Sequence, residues 1–368
     1  MTENQTKPRN IMMMAAGTGG HVFPALAVAK ELQQRGHQVC WLATPAGMEN
    51  RLLKQHDDIA LYQIDIQGVR GNGLIRKLAA PFKILKATLS AMRIMKTHNI
   101  DAVAGFGGYV AGPGGLAARL LGIPVLIHEQ NAVAGFTNTQ LARIAKTICQ
   151  AFPNTFPAKA NIVTTGNPVR KEICEILSPQ WRYDQRTSQQ QSLRVLIVGG
   201  SLGAQALNER IPAALTALQL PLSVYHQCGQ QQLEATRQRY QTLDKVTGFQ
   251  AEVVPFIEDM AQAYSDADLI ICRAGALTVT EIATAGVAAI FVPLPIAVDD
   301  HQTANAHYLA DVGAAKICQQ AGMTLESLAV LLQPLMNRHI LAEMAVKARQ
   351  QAQTQATSDV ANLIEALS

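Results

Sequence analysis

Ile11-Met12-Met13-Met14-Ala15-Ala16-Gly17-Thr18-Gly19-Gly20-His21 is a short apolar run that stops on a glycine loop and opens into a helical pattern. Leu193-Arg194-Val195-Leu196-Ile197-Val198-Gly199-Gly200-Ser201-Leu202-Gly203 repeats the arrangement in the second half of the chain. Glycine lets a backbone turn tightly and approach a ligand closely, and the amides that open a helix are unpaired donors at a positive dipole end. Such places hold phosphates and nucleotides. Neither loop meets the dinucleotide pattern G-x-G-x-x-G: counted from Gly17 the third position falls on Val22, and Gly200 to Gly203 gives G-x-x-G. No Gly-Lys-Ser/Thr follows either strand, which excludes a P-loop. One loop of this kind also serves as an ordinary strand-to-helix turn. Two, each opening its own half of the chain, indicate a two-domain nucleotide-handling enzyme.

Outward from these loops, apolar runs alternate with helical patterns. The first half reads as strand 11–16, a helix from about Pro24 to Gly36, strands Val39–Ala43 and Ala102–Ala104, a glycine-rich loop Gly105–Gly115, a helix to Gly122 and strand Pro124–His128. Alternation of this kind predicts an α/β fold with parallel, doubly wound sheets whose ligands sit at the carboxyl ends of the strands. Gly17–His21, Phe106–Tyr109 and His128–Asn131 each follow a strand and fall at that edge. The pattern weakens after Gly166, which puts the interdomain connection near Gly166–Arg170, with residues 1–169 in one domain and 170–345 in the other. Asp184–Ser192, rich in glutamine and serine, reads as an exposed loop. Strands 193–198, Leu222–Gln227, Ala251–Val254, Leu269–Cys272 and Ala289–Val292 restart the alternation. The tail 341–367 is helical in composition with a cap at Thr357 or Ser358, and 346–368 is expected to pack back on the first domain.

A chain of 368 residues is too long for one average core, and 48% apolar content is ordinary for a globular protein. No run of 18 apolar residues is present to span a bilayer, and the polar start Met1–Asn10 argues against a signal peptide. The cysteines, at 40, 149, 174, 228, 272 and 318, form no C-x-x-C pair and no His/Cys metal spacing, which suits unpaired thiols in a reducing cytoplasm. A net charge of +4 is too small for a nucleic-acid footprint, but it is unevenly spread. Between Asp65 and Asp101 there is no acid, while Arg70, Arg76, Lys77, Lys83, Lys86, Arg93 and Lys96 interleave with Leu74, Ile75, Leu78, Phe82 and Leu85. On a helix these apolar residues share an arc of about 100°, with Arg76, Lys83 and Lys86 outside it and Pro81 as a cap or kink. Two readings stand. One is a surface resting on anionic lipid through Ile75, Leu78, Phe82, Lys77, Lys83 and Lys86; the other is a core-facing helix with snorkelling lysines.

The segments Gly17-Thr18-Gly19-Gly20-His21-Val22-Phe23-Pro24, Gly107-Gly108-Tyr109, His128-Glu129-Gln130-Asn131, Gly166-Asn167-Pro168-Val169-Arg170, Gly199-Gly200-Ser201 and Arg273-Ala274-Gly275-Ala276-Leu277-Thr278-Val279-Thr280-Glu281, in that order, resemble the MurG family. Its members are bacterial N-acetylglucosaminyltransferases that convert lipid I to lipid II in peptidoglycan synthesis. The likeness runs over nearly the whole chain. Ala16 stands where the family usually has glycine, and His301 where some members have a second glutamine.

The resemblance implies a GT-B fold: two Rossmann-like domains facing across a cleft, acceptor on the first and UDP-N-acetylglucosamine mainly on the second. It carries the family's donor contacts onto Thr18, Gly19, Gly20, Asn131, Arg170, Ser201, Ile257, Ala276, Leu277, Thr278, Val279, Thr280, Glu281 and Gln302. On that basis Glu281, acceptor-only, suits the ribose diol, against an alternative as a capping partner of Thr278. Ser201, the Gly199–Gly203 amides and the helix start at Thr278 and Val279 suit a diphosphate. Ile257 reads uracil through its backbone or is plain core. Gly107, Gly108 and Tyr109 suit the acceptor's diphosphate.

Asp266-Ala267-Asp268 resembles a metal-binding D-x-D pair, but it precedes a strand instead of ending one. It reads as helix-end and loop, so no metal or other cofactor is expected, and helix amides with Arg170 would stabilise departing UDP. Joining an α-linked donor sugar in a β(1→4) bond inverts the anomeric carbon in one displacement, which needs a base and no covalent nucleophile. A histidine with pKa near 6.5 is suited to that, and His21, at a helix start, is the leading candidate. Glu129 and His128 are rival bases, and His21 as a phosphate ligand is the other role open to it. The implied location is the cytoplasmic face of the cell membrane, with other cell-wall and division proteins as partners. Two further readings are another GT-B enzyme, such as a glycolipid synthase or a UDP-sugar epimerase, and a membrane-docked, nucleotide-gated scaffold.

Overall fold

The computed structural model describes residues 7–54, 56–66, 74–200, 203–295 and 300–367, of which 74–79 as backbone alone. The chain forms two compact units: one of residues up to Val169 together with those from Thr354, the other Arg170–Gln353.

The first unit holds a seven-stranded parallel sheet of β1 (Asn10–Ala15), β2 (Gln38–Ala43), β3 (Ala60–Gln63), β4 (Ala102–Gly107), β5 (Val125–Glu129), β6 (Thr147–Gln150) and β7 (Ile162–Thr164), in the order β3-β2-β1-β4-β5-β6-β7. β1 shows why it is central. Ile11, Met13 and Ala15 enter the core on one face and Met12 and Met14 the core on the other, all fully buried. A strand covered on both faces reads as a continuous apolar run, and each large side chain so buried contributes about 1.5–3 kcal/mol.

The second unit repeats the plan with six parallel strands, β8 (Leu193–Val198), β9 (Leu222–Gln227), β10 (Gln250–Val254), β11 (Leu269–Cys272), β12 (Ala288–Phe291) and β13 (Ala315–Ile317), in the order β10-β9-β8-β11-β12-β13. In each sheet the chain winds outward from its first strand and then returns to that strand's other side. The turning points lie between β1 and β4 and between β8 and β11, where doubly wound sheets open a crevice for ligands.

Several local expectations are corrected. The glycine-rich segment after residue 105 is mostly not a loop: β4 runs to Gly107 and a helix spans Ala111–Leu120. Its glycines serve packing, since a Cβ on Gly114 would lie 2.4 Å from the Met14 sulfur and one on Gly115 2.6 Å from Leu141. The polar tract at 184–192 begins inside a helix, Pro179–Ser188, capped by Ser178 and burying Arg182, Tyr183 and Arg186. Ser-Pro at a helix start was a readable signal. The first helix is Gly19–Gln34, starting ahead of Pro24 and holding it inside.

The tail is two helices. Arg338–Gln350 packs within the second unit, and Ala356–Glu365 lies on the Gly19–Gln34 helix with Gln355, not Thr357 or Ser358, at its N-cap. The basic stretch forms a helix, Leu74–Thr97, that continues through Pro81. Among the described residues no helix is long and apolar enough to cross a membrane.

Candidate active site

In the first unit the turning point is built from the ends of β1 and β4. Gly17 adopts φ +98°, Thr18 is the N-cap of the Gly19–Gln34 helix, and the amides of His21 and Val22 return to the Thr18 carbonyl. The His21 ring turns back so that Nδ1 lies 3.2 Å from the Ala16 carbonyl oxygen. A carbonyl only accepts, so Nδ1 carries a proton, and in the neutral tautomer Nε2 is the basic nitrogen.

Gly107 ends β4 and Gly108 follows it, with φ +111° and +80°. A Cβ on Gly107 would lie 2.9 Å from the His21 ring, and one on Gly108 2.2 Å from the Ala16 oxygen. The two loops thus interlock at van der Waals distance, with Tyr109 exposed beside them. One support was invisible in the sequence. Fully buried Glu49 accepts from the Gly17 amide at 3.2 Å and from the amide and hydroxyl of Thr44 at 2.9 and 2.8 Å.

The other two candidate bases sit differently. Glu129 is buried and accepts from the Asn131 amide and side chain, the Gly135 amide and the Asn138 side chain at 2.9–3.2 Å, so it organises the loop after β5. His128 is buried against Phe106 with Nε2 at 2.9 Å from the Gly166 carbonyl, and burial lowers its pKa to about 4. Asn131, an expected donor contact, gives two of its donors to Glu129.

In the second unit Gly199 and Gly200 follow β8, and the Gly203 amide bonds the Gly200 carbonyl at 2.9 Å just ahead of the Gln205–Ala217 helix. Gly203 has φ +76°, and a Cβ there would lie 2.1 Å from the Cys228 carbonyl oxygen. Ser201 lies outside the described residues. After β11, Gly275 caps the Ala276–Ala285 helix, whose opening amides at 276–278 precede the first intrahelical donor, the Val279 amide on the Gly275 carbonyl at 3.0 Å.

Of the residues expected here, Ala276, Val279 and Thr280 are buried, and the Thr280 hydroxyl bonds the Ala276 carbonyl; Leu277, Thr278 and Glu281 reach the surface. Glu281 receives Arg170 at 2.8 and 3.2 Å on one oxygen and the Tyr264 hydroxyl at 3.0 Å on the other. Burial lowers the Arg170 pKa, but Glu281 outweighs it and the net shift is upward; burial and Glu281 together raise Tyr264 well above its ordinary value. The Ile257 side chain is buried, and Gln302 accepts from the Leu294 amide at 3.0 Å. The far end of the Glu281 helix is held by Arg182, which donates to Ala285 and Gly286 at 2.6 Å, and by Arg349 on Thr284. Cations there complement the helix dipole.

The Asp266–Asp268 pair is engaged: fully buried Asp268 accepts from Arg186, Arg338 and the Arg194 amide, and Asp266 from Arg194. Among the described residues no group of His, Cys, Asp or Glu has the arrangement of a metal site. On the Leu74–Thr97 helix the core-facing reading fails for its middle: Ala87, Thr88, Ala91 and Met95 face inward, whereas Phe82, Leu85 and Leu89 are 77%, 57% and 56% exposed, flanked by exposed Lys83 and Lys86. The side chains of Ile75, Lys77 and Leu78 lie outside the described residues.

Residues 11–150 match the glycosyltransferase family 28 N-terminal domain and residues 194–364 its C-terminal domain. The chain belongs to glycosyltransferase family 28. Within that family it is 74% identical, over 99% of both chains, to an Acinetobacter baylyi protein named UDP-N-acetylglucosamine–N-acetylmuramyl-(pentapeptide) pyrophosphoryl-undecaprenol N-acetylglucosamine transferase. It is 51% identical, over 96% of both chains, to the protein of the same name from Aeromonas hydrophila. The crystal structure of Acinetobacter baumannii MurG, 70% identical, superposes with a TM-score of 0.87 over 97% of this chain and 99% of that one. The family 28 chain is thus a glycosyltransferase of the MurG group with the GT-B fold, and each turning point is lined by segments that carry the family likeness.

Proposed function

We propose that this chain transfers N-acetylglucosamine from UDP-N-acetylglucosamine to lipid I, undecaprenyl-diphospho-N-acetylmuramoyl-pentapeptide, giving lipid II at the cytoplasmic face of the cell membrane. The observation that carries the reading is 74% identity along 99% of the chain to a protein named for that transfer. In the second unit the Gly199–Gly203 amides and those at 276–278 hold the donor diphosphate, Glu281 the ribose, and the backbone at Ile257 the uracil, with Gln302 as a further donor contact. In the first unit Gly107, Gly108 and Tyr109 receive the acceptor's diphosphate.

The displacement is a single step. The acceptor hydroxyl oxygen attacks the anomeric carbon, its proton passes to His21 Nε2, and the bond to the diphosphate breaks with its electron pair leaving on UDP. The Ala16 carbonyl supports this role by fixing the proton on Nδ1. Glu129, with both oxygens committed to loop donors, is assigned a positioning role in place of a base. The exposed Phe82, Leu85 and Leu89 with Lys83 and Lys86 rest on anionic lipid, where the acceptor resides. Cell-wall and division proteins are the partners such a location implies.

The test is a calorimetric donor screen followed by product mass with a lipid I analogue. UDP-N-acetylglucosamine should bind and add one N-acetylhexosamine to the analogue in a β(1→4) bond. Binding without transfer, or interconversion of the donor sugar alone, would overturn the reading.

A further inference from the structure

We infer that Gln227 is a positioning residue that fixes the spacing between the diphosphate turn and the uracil-reading segment, and so sets how strongly the two halves of UDP are recognised together. The inference rests on the donor site proposed above. β9 lies between β8 and β10, and Gln227 ends it, in register with Val198 on one side and Val254 on the other. Its flanks are therefore Gly199–Gly200 on one side and the Pro255–Ile257 segment on the other.

The side chain is 3% exposed and reaches both. Its Oε1 accepts from the Gly200 amide at 3.1 Å, and its Nε2 donates to the Gly200 carbonyl at 2.9 Å and to the Pro255 carbonyl at 3.1 Å. Gly200 is thus gripped by both its amide and its carbonyl, at φ +85°, immediately before Ser201. The main chain continues the clasp, with the Gly199 amide on the Gln227 carbonyl at 3.2 Å and the Cys228 amide on the Val254 carbonyl at 3.0 Å.

Only a primary amide of this length presents an acceptor to one loop and donors to both. A carboxylate has no donor and a hydroxyl does not reach. A ligand whose base and diphosphate are joined by a rigid ribose gains from both contacts only when their separation is held, because misplacement by a fraction of an ångström forfeits one of them.

The experiment titrates the wild type and Gln227→Met, which keeps the volume and removes the side-chain amide's hydrogen bonds, with uridine, UMP and UDP in a calorimeter. UDP affinity should fall by about ten- to hundredfold while uridine affinity changes by less than about threefold. The donor KM should rise by the UDP factor, with kcat and the acceptor KM nearly unchanged, a split that mere loss of stability does not produce below the melting temperature. Wild-type UDP affinity in the variant, or equal losses for uridine and UDP, would overturn the inference while leaving the donor site intact. A wild type that binds UDP no better than uridine would overturn the site itself and the inference with it. Should Gln227→Met lack a cooperative melting transition, Gln227→Asn, whose shorter amide spans only one of the two loops, is held to the same outcomes.

Discussion

Replacing Glu281 by alanine tests the donor site and its scaffold in one variant. The carboxylate accepts two hydrogen bonds from Arg170 and one from Tyr264, and its side chain is 12% exposed against 43% for Arg170. Deletion leaves the fully buried Tyr264 hydroxyl without that acceptor, a loss of about 1–3 kcal/mol. The half-exposed Arg170 recovers water and adds less. In a unit of this size each kcal/mol moves the melting temperature by about 2–4 °C, so a fall of roughly 4–8 °C is expected for a mid-range loss near 2 kcal/mol.

Donor binding suffers separately. A charged acceptor facing the ribose diol is worth about 1.5–3 kcal/mol, a 10- to 150-fold weakening of UDP. Calorimetry with UDP and 2′,3′-dideoxy-UDP divides the two effects. The wild type should prefer UDP by that factor, and Glu281→Ala should bind both nucleotides alike. A variant that still prefers UDP as strongly as the wild type would refute the ribose contact, whatever its melting temperature.

His21→Ala should lower kcat by about 10²–10⁴ with UDP affinity nearly unchanged, and the acid limb of the wild-type pH profile should vanish; a retained rate with a raised acceptor KM would make His21 a phosphate ligand instead. Phe82→Ser combined with Lys83→Glu and Lys86→Glu should release the protein from anionic vesicles in a flotation assay, each charge contributing about 1 kcal/mol, while a soluble acceptor analogue is still glycosylated; undiminished flotation would count against the membrane surface. EDTA should leave turnover unchanged, since both acidic residues of the D-x-D pair are held by arginines, and loss of activity restored by magnesium would contradict this. Burial pulls the Glu365 carboxyl upward, but His37 and Arg35 outweigh it and hold it below its ordinary value. Its stabilising share is therefore present at neutral pH and lost as pH falls through the carboxylate range. The melting-temperature gap between wild type and Glu365→Gln should close on acidification, and a constant gap would exclude the ion pairs as its source.

The doubly wound plan was legible because the strands at each turning point are buried on both faces and read as apolar runs, and because their loops need glycine for geometric reasons visible at Gly17, Gly107 and Gly108. The glycines at 114 and 115 misled because a residue missing its side chain for close packing looks, in sequence, like one missing it for a turn. Glu49, Gln227, Tyr264 and Arg182 were not foreseen. Each is a buried polar group whose partner lies far along the chain, such as the Gly17 amide for Glu49 or the Ala285 carbonyl for Arg182. Neither periodicity nor a local motif reports such a pair. Among the candidate bases, sequence put three residues at the same sheet edge, and side-chain burial with hydrogen-bond partners distinguishes them.

The first unit is stitched from two pieces. Val360, Ala361, Ile364 and Leu367 complete the core that contains Val22, Ala25, Val28, Ala29 and Leu32 of the Gly19–Gln34 helix. A ribosome makes the second unit, Arg170–Gln353, between those pieces. At about 5–20 residues per second this interval lasts roughly 10–40 s. Throughout it the helix that carries His21 leaves the ribosome with an uncovered apolar flank. The nascent chain therefore has its later unit complete before its earlier one, and a chaperone that meets it in that interval meets a first unit still waiting for its last helix.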